Sequence, residues 1–248
     1  LGLIRQRYET KGDTSIGELI DYDLGGTTYE GYLAQPSGGP APLVLVGHAW
    51  GGQGDFERGK ADWLADQGYA GFAIDVYGKG QRGETTEECQ ALMEPLAGNR
   101  PELQARLKAS LDAGKALDGV DASKTAAIGF CFGGLCVLDM ARTGMDVAGV
   151  ASFHGLFGAP GNTDGNAIYS KVLALHGWDD PMATPEDVIA LSKEMTAAGA
   201  DWQLHGYGGV LHAFTNPGAN DPSFGVKFDA NADRRSFATL LDFLGELF

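Results

Sequence analysis

The run Gly129-Phe130-Cys131-Phe132-Gly133-Gly134 constrains this chain more than any other. It follows the apolar stretch Thr125-Ala126-Ala127-Ile128 and precedes the apolar segment from Leu135 to Ala141. The pattern predicts a strand, a sharp turn and a helix, with a cysteine at the apex. A residue at such an apex sits in a strained backbone conformation. Strand and helix then pass so close that the residues two before and two after must be small. Gly129 and Gly133 meet that demand. The turn also aims backbone N–H groups and a helix N-terminus at the apex, which favours a thiolate and a developing oxyanion there. The competing reading is a buried cysteine beside helix-packing glycines, since free cysteine is among the most buried residue types.

The remaining pattern supplies a setting for the turn. Glu18 to Leu24 and Thr28 to Ala34 alternate apolar and polar side chains around Gly25-Gly26-Thr27, which predicts a β-hairpin. Leu43-Val44-Leu45-Val46 is a buried strand, bounded by Gly47 and the loop His48-Ala49-Trp50-Gly51-Gly52. Phe56 to Gln67 has helical spacing and stops at Gly68, and Ala70 to Val76 is again strand-like. Gly78 to Gly98 is polar and irregular and reads as a partly helical excursion over the active-site face. Pro101 to Leu117 predicts a helix, Val147 to Phe153 and Lys171 to His176 two strands. Pro185 to Ala198 predicts a helix, Trp202 to Tyr207 a strand, and Ala232 to Phe248 a closing amphipathic helix. Strands alternating with helices imply an α/β fold: a mostly parallel, doubly wound sheet flanked by helices, with an N-terminal hairpin. No repeat or linker interrupts it, so residues 1–248 read as one domain.

Composition narrows the partners. A formal charge of -15 argues against nucleic acid or an anionic membrane, because both need a basic surface. No apolar run approaches the length of a membrane span, and Leu1 to Tyr8 lacks the long apolar region of a signal peptide. Cys89, Cys131 and Cys136 are widely spaced and contain no C-x-x-C, so neither a disulfide framework nor a zinc site is suggested. A reducing, cytoplasmic setting is the simpler expectation. The glycines of Gly47 to Gly54 lack the Lys-Ser/Thr ending of a phosphate-binding loop, and no dinucleotide fingerprint is present. Oligomeric state is left open.

A thiol nucleophile needs a base, and the base needs an orienting carboxylate. The turn at Cys131 resembles the G-x-S-x-G elbow of α/β-hydrolases with cysteine in place of serine, and there the chain order is nucleophile, acid, histidine. Leu175-His176-Gly177-Trp178-Asp179-Asp180-Pro181 follows a strand and offers two adjacent aspartates. The spacing from Gly177 favours Asp180, with Asp179 as the alternative. His212, in Val210-Leu211-His212-Ala213-Phe214 after the last strand, is the candidate base. His205 reads as structural, His176 as ordering the acid loop, and His154 as either lining the pocket or packing. Two backbone N–H groups are expected to hold an oxyanion, that of Phe132 after the nucleophile and that of Trp50 in the loop after Val46.

Together the Cys131 elbow, the aspartate loop and His212-Ala213-Phe214 resemble the dienelactone hydrolase family. So does Trp63-Leu64-Ala65-Asp66-Gln67-Gly68-Tyr69-Ala70 followed by Asp75-Val76-Tyr77. The similarity runs from about Leu19 to the C-terminus. It implies a triad of Cys131, Asp180 and His212, no cofactor and no metal, and cleavage of a small cyclic enol-lactone or related ester. A broad carboxylesterase or thioesterase is the alternative, and a non-catalytic binding protein on the same scaffold the second. Two departures stand out. The family's glutamate before the oxyanion residue is matched here by Ala49, and no basic residue follows His212 in Ala213-Phe214-Thr215-Asn216. Lys79 and Arg82 are the cations of the excursion that could take over a carboxylate.

Overall fold

The N-terminal pattern folds as a hairpin with one strand added. In a computed structural model, which describes residues 4–6 and 17–248, β1 (Ile4–Gln6) pairs antiparallel with β2 (Glu18–Leu24). Apart from β1, the opening stretch Leu1 to Tyr8 lies outside the described residues. β2 in turn pairs antiparallel with β3 (Thr27–Ala34), from Glu18 opposite Leu33 to Leu24 opposite Thr27. Gly25 and Gly26 make the turn with φ of 59° and 83°. Positive φ at both positions of a two-residue loop matches the twist of the flanking strands, and glycine reaches it without a Cβ clash.

The chain divides into two units, Leu1–Thr125 and Ala126–Phe248. In the first, β4 (Ala41–Gly47) leads through α1 (Asp55–Asp66) to β5 (Ala70–Ala73), which lies parallel to β4 and antiparallel to β3. The predicted strand to Val76 is shorter than its apolar run. Ile74 to Val76 are buried, and Ile74 N still donates to Val46 O. Asp75 N and Val76 N turn instead to Tyr22 Oη and His48 Nε2, and the Asp75 carboxylate accepts from the backbone N–H groups of Tyr77 and Gly78. The excursion is irregular up to Thr85 and helical as α2 (Thr86–Gly98), whose N-terminus is capped by the Thr85 hydroxyl and by Glu88. α3 (Arg100–Lys115) follows and buries Leu103, Leu107 and Leu111.

β6 (Val120–Phe130) leads into the second unit and begins five residues before the apolar run that predicted it. α4 (Phe132–Arg142) returns to β7 (Gly149–Phe153), and β8 (Lys171–Gly177), α5 (Pro185–Ala197) and β9 (Trp202–Tyr207) follow. β6, β7, β8 and β9 pair in that order, all parallel. Strands covered on both faces read as continuous apolar runs, as Val172 to Leu175 do. A small hairpin, β10 (Asn220–Asp221) with β11 (Val226–Lys227), precedes the closing helix α6 (Ala230–Leu247). All eleven residues of α4 are buried, including Arg142. That guanidinium makes a bidentate pair with Glu194 and donates to Asp139 and to the carbonyls of Phe157 and Gly158, so it ties the loop after β7 to two helices. The mostly parallel α/β architecture with an N-terminal hairpin is the one the sequence pattern implies. No helix of the described residues is long and apolar enough to cross a membrane.

Candidate active site

Cys131 sits between β6 and α4 with φ 56° and ψ -115°, a conformation that L-residues rarely adopt. Its backbone is held on both sides. The N–H donates to Phe153 O at 3.0 Å, and the carbonyl accepts from Gly134 N at 2.9 Å and Leu135 N at 3.3 Å. The close approach expected of the elbow is present: a Cβ on Gly129 would lie 2.0 Å from Gly133 O. The thiol is half-buried and free. Phe132 opens α4, where the helix itself provides no acceptor for the N–H.

Asp180 and Asp179 part company at the end of β8. Asp179 is exposed, whereas Asp180 is buried, its Oδ1 accepting from Met182 N at 2.8 Å. Its Oδ2 accepts from His212 Nδ1 at 2.6 Å. The base loop comes close because Gly177 has no side chain; a Cβ there would lie 2.6 Å from both Val210 O and Leu211 O. His212 is buried, and its backbone is fixed by the hairpin β10–β11. Its N–H donates to Gly225 O and its carbonyl accepts from Lys227 N, both at 3.0 Å. Nothing in the alternation of residues 220–227 signals that hairpin.

With Nδ1 committed to Asp180, the other ring nitrogen of His212 is left for chemistry. Nε2 has no hydrogen bond of good geometry among the described residues, yet the Cys131 sulfur is near enough to act on it. Burial alone would lower the pKa of this imidazole. A charge on Cys131 and the bonds to Asp180 and Cys131 outweigh burial and push it up to about 10. The Asp180 carboxylate and the Cys131 sulfur thus both bear on one imidazole.

The other candidates separate clearly. His154, at φ 37°, packs edge-on to His212 with ring centroids 5.1 Å apart. His176 is fully buried against Phe157 and Trp178, and neither ring nitrogen has a partner among the described residues, so packing alone holds it. Burial holds its pKa below the ordinary value, against the pull of Asp180. His205 lies on β9 beside Gln203. In the first unit, Lys79 is taken up by Asp21 and Glu30, and Arg82 by Gln53, Gln81 and Asp75, so both cations already have carboxylate or carbonyl partners.

Trp50 belongs to a loop that is clamped within the first unit. Its carbonyl accepts from Tyr77 Oη at 2.9 Å, and the Glu57 carboxylate accepts from Ala49 N and Gly54 N. Burial pushes the Glu57 pKa up to about 7. His48 spans Ala49 O and Val76 N, which fixes the proton on Nδ1, and burial takes its pKa down to about 4. Sequence reasoning passed over Glu57, although its place three residues after Gly54 is the spacing of a capping box.

Among the described residues no group of three or more His, Cys, Asp or Glu could hold a metal ion. A cavity of about 340 Å³ lies in the second unit between the loop after β7 and α5, lined by Arg142, Phe157, Asp187 and Glu194, and includes none of the three triad candidates.

Residues 29–248 match the dienelactone hydrolase family. The chain belongs to that family. It is similar to the solved structure of a dienelactone hydrolase-like promiscuous phosphotriesterase from metagenomic libraries, with a TM-score of 0.87 and 35% identity over 94% of this chain and 98% of that one. An uncharacterized protein of Caenorhabditis elegans is 40% identical over 153 residues, 59% of this chain and 94% of its own. The carboxymethylenebutenolidase of Pseudomonas putida is 24% identical over 138 residues, 51% of this chain and 55% of its own. Within a dienelactone hydrolase family member, Ala49 and the uncharged residues after His212 remain the departures noted from the sequence.

Proposed function

We propose that this hydrolase cleaves a small lactone or activated ester through Cys131, His212 and Asp180, by way of a thioester. The observation that carries the reading is the 2.6 Å bond from His212 Nδ1 to Asp180, on a ring whose pKa Cys131 also raises. His212 takes the thiol proton and the thiolate attacks the carbonyl carbon. The oxyanion accepts from Phe132 N–H at the start of α4, and the chain order offers Trp50 N–H as a second donor. Collapse expels the leaving oxygen, which collects the proton from His212. A thioester on Cys131 carries no charge, so the influence that most raises the His212 pKa is gone and burial favours the neutral ring. Neutral His212 then accepts a proton from water as it attacks the thioester, and the thiol–imidazole pair is restored. A good leaving group such as an enolate suits this chemistry, because an intermediate bearing a poor one expels the thiolate instead.

A panel of enol-lactones, p-nitrophenyl esters, thiol esters and an activated phosphotriester, assayed with the parent and with Cys131→Ala, tests the reading. The phosphotriester belongs there because of the similarity to the phosphotriesterase structure. Enol-lactone turnover with an acyl group trapped on the Cys131 peptide supports it; preference for thiol or alkyl esters favours the broad esterase. Activity unchanged in Cys131→Ala overturns the thioester route, and a Cys131 inert to iodoacetamide near neutral pH in a protein without turnover leaves a binding protein. Among the described residues no disulfide joins Cys89, Cys131 and Cys136, which fits a reducing, cytoplasmic setting.

A further inference from the structure

Phe153, the last residue of β7, and His154 after it reach the elements that carry the three triad candidates. Phe153 O accepts the N–H of Cys131 at 3.0 Å. The N–H of His154 donates to Leu175 O at 2.8 Å, on the strand that runs into Asp180. The His154 ring closes the set, its Nε2 lying 2.9 Å from the hydroxyl of Thr215, a fully buried residue three positions after His212. The same ring meets His212 at 5.1 Å and 67°, and Phe214 at 5.1 Å and 82°, both edge-to-face.

His154 reaches this place through backbone strain. Its φ of 37° belongs to the left-handed region, which a non-glycine residue keeps only where its surroundings over-determine it. The cause lies one residue on. Gly155 passes directly over the elbow helix, where a Cβ on Gly134 would lie 2.6 Å from Gly155 Cα. The chain therefore has to turn sharply at position 154 as it leaves the strand.

We propose that His154 is a positioning residue for His212. The bond from Nδ1 to Asp180 fixes one edge of the His212 imidazole but not its tilt about the Cβ–Cγ bond, and a change of tilt moves Nε2 relative to the thiol. The His154 ring blocks that change, and its bond to Thr215 keeps it in position. Phenylalanine at 154 would preserve the bulk but strand the buried Thr215 hydroxyl. This proposal rests on the Cys131–His212–Asp180 reading above.

The test compares Thr215→Val, Thr215→Ser and His154→Phe with the parent in steady-state hydrolysis of a p-nitrophenyl ester and in thermal melts. Thr215→Val is nearly isosteric and stands in if His154→Phe fails to fold. Loss of the lock lowers kcat by about 10- to 100-fold, as a shift of up to about 1 Å in a reacting group does. KM stays within about twofold, since acyl binding is untouched, and Thr215→Ser recovers the rate to within about threefold. A lower melting temperature with kcat unchanged well below it assigns His154 a packing role and overturns the proposal. So does a KM effect without a kcat effect. Trapping the acyl group on Cys131 of the parent with the same ester separates the two failures: no adduct sinks the triad, and an adduct with an undiminished Thr215→Val sinks only His154.

Discussion

Replacing Gly129 by alanine would strike the turn on which the candidate site is built. The added Cβ would lie 2.0 Å from Gly133 O, 2.3 Å from Gly133 C and 2.9 Å from Gly134 N. All three are backbone atoms at the start of α4, so no side chain can rotate aside. Restoring even 3.0 Å to the nearest atom means parting β6 and α4 by 3.0 minus 2.0, or 1.0 Å. Overpacking of this kind costs about 1–3 kcal/mol. At this chain length each kcal/mol lowers the melting temperature by about 2–4 °C, which gives a fall of about 2–12 °C. The same displacement moves Cys131 and the Phe132 N–H relative to His212, and about 1 Å of misplacement costs about a hundredfold in rate. Thermal melts and p-nitrophenyl ester kinetics measure both effects. Gly245→Ala is the control, because its Cβ in α6 meets nothing within 4 Å. A Gly129→Ala protein with kcat within about threefold of the parent and a melting temperature within about 1 °C would refute both the close approach and its role.

Two further outcomes bear on the base. Asp180→Asn keeps the shape but offers an amide N–H to His212 Nδ1, selecting the tautomer whose Nε2 is already protonated; kcat should fall by about 10³- to 10⁴-fold, with KM within about threefold. Equal kcat in the two proteins would remove Asp180 from the mechanism. Followed by ¹⁵N NMR, the His212 ring of the parent keeps its second proton until the pH rises to about 10. In Cys131→Ala the charge that most raises this pKa is absent and burial still lowers it, so the midpoint moves down; an unmoved midpoint would mean that the thiol does not act on the ring.

The elbow was legible because its geometry requires particular residue types. Only small residues tolerate the contact between positions 129 and 133, so the close approach is written as glycine. Asp180 over Asp179 was less so. The two are adjacent and chemically identical, and the choice is made by the turn that bonds Asp180 N to Gly177 O and Asp180 Oδ1 to Met182 N. Apolar runs reported burial rather than pairing. Val120 to Lys124 open β6 although three of the five are polar, while Asp75 and Val76 are buried and stay out of the ladder. The hairpin at Asn220 to Lys227 has strands of two residues each, too short to alternate, yet it fixes both backbone groups of His212.

The role of His154 was open from sequence because its ring direction follows from a φ that its residue type does not announce. Among the described residues, the non-glycine residues with positive φ are Cys131, His154 and Ala213. One bears the candidate nucleophile, one packs on the candidate base, and one follows that base in the chain. Each such conformation costs about 1–3 kcal/mol and relaxes unless neighbouring bonds forbid it. Those bonds are present: Cys131 N to Phe153 O, His154 N to Leu175 O, and Asn216 N to Ala213 O. The strain is therefore held by the ends of parallel strands and by one tight turn, and it is concentrated around the candidate thiol and imidazole. A packing-only origin would scatter such residues along the loops of the chain, and the glycines at positive φ do occupy loops such as Gly161, Gly165 and Gly209. At Cys131, which has to carry the candidate nucleophile, no glycine could be used, and the cost of the conformation falls on the candidate site itself.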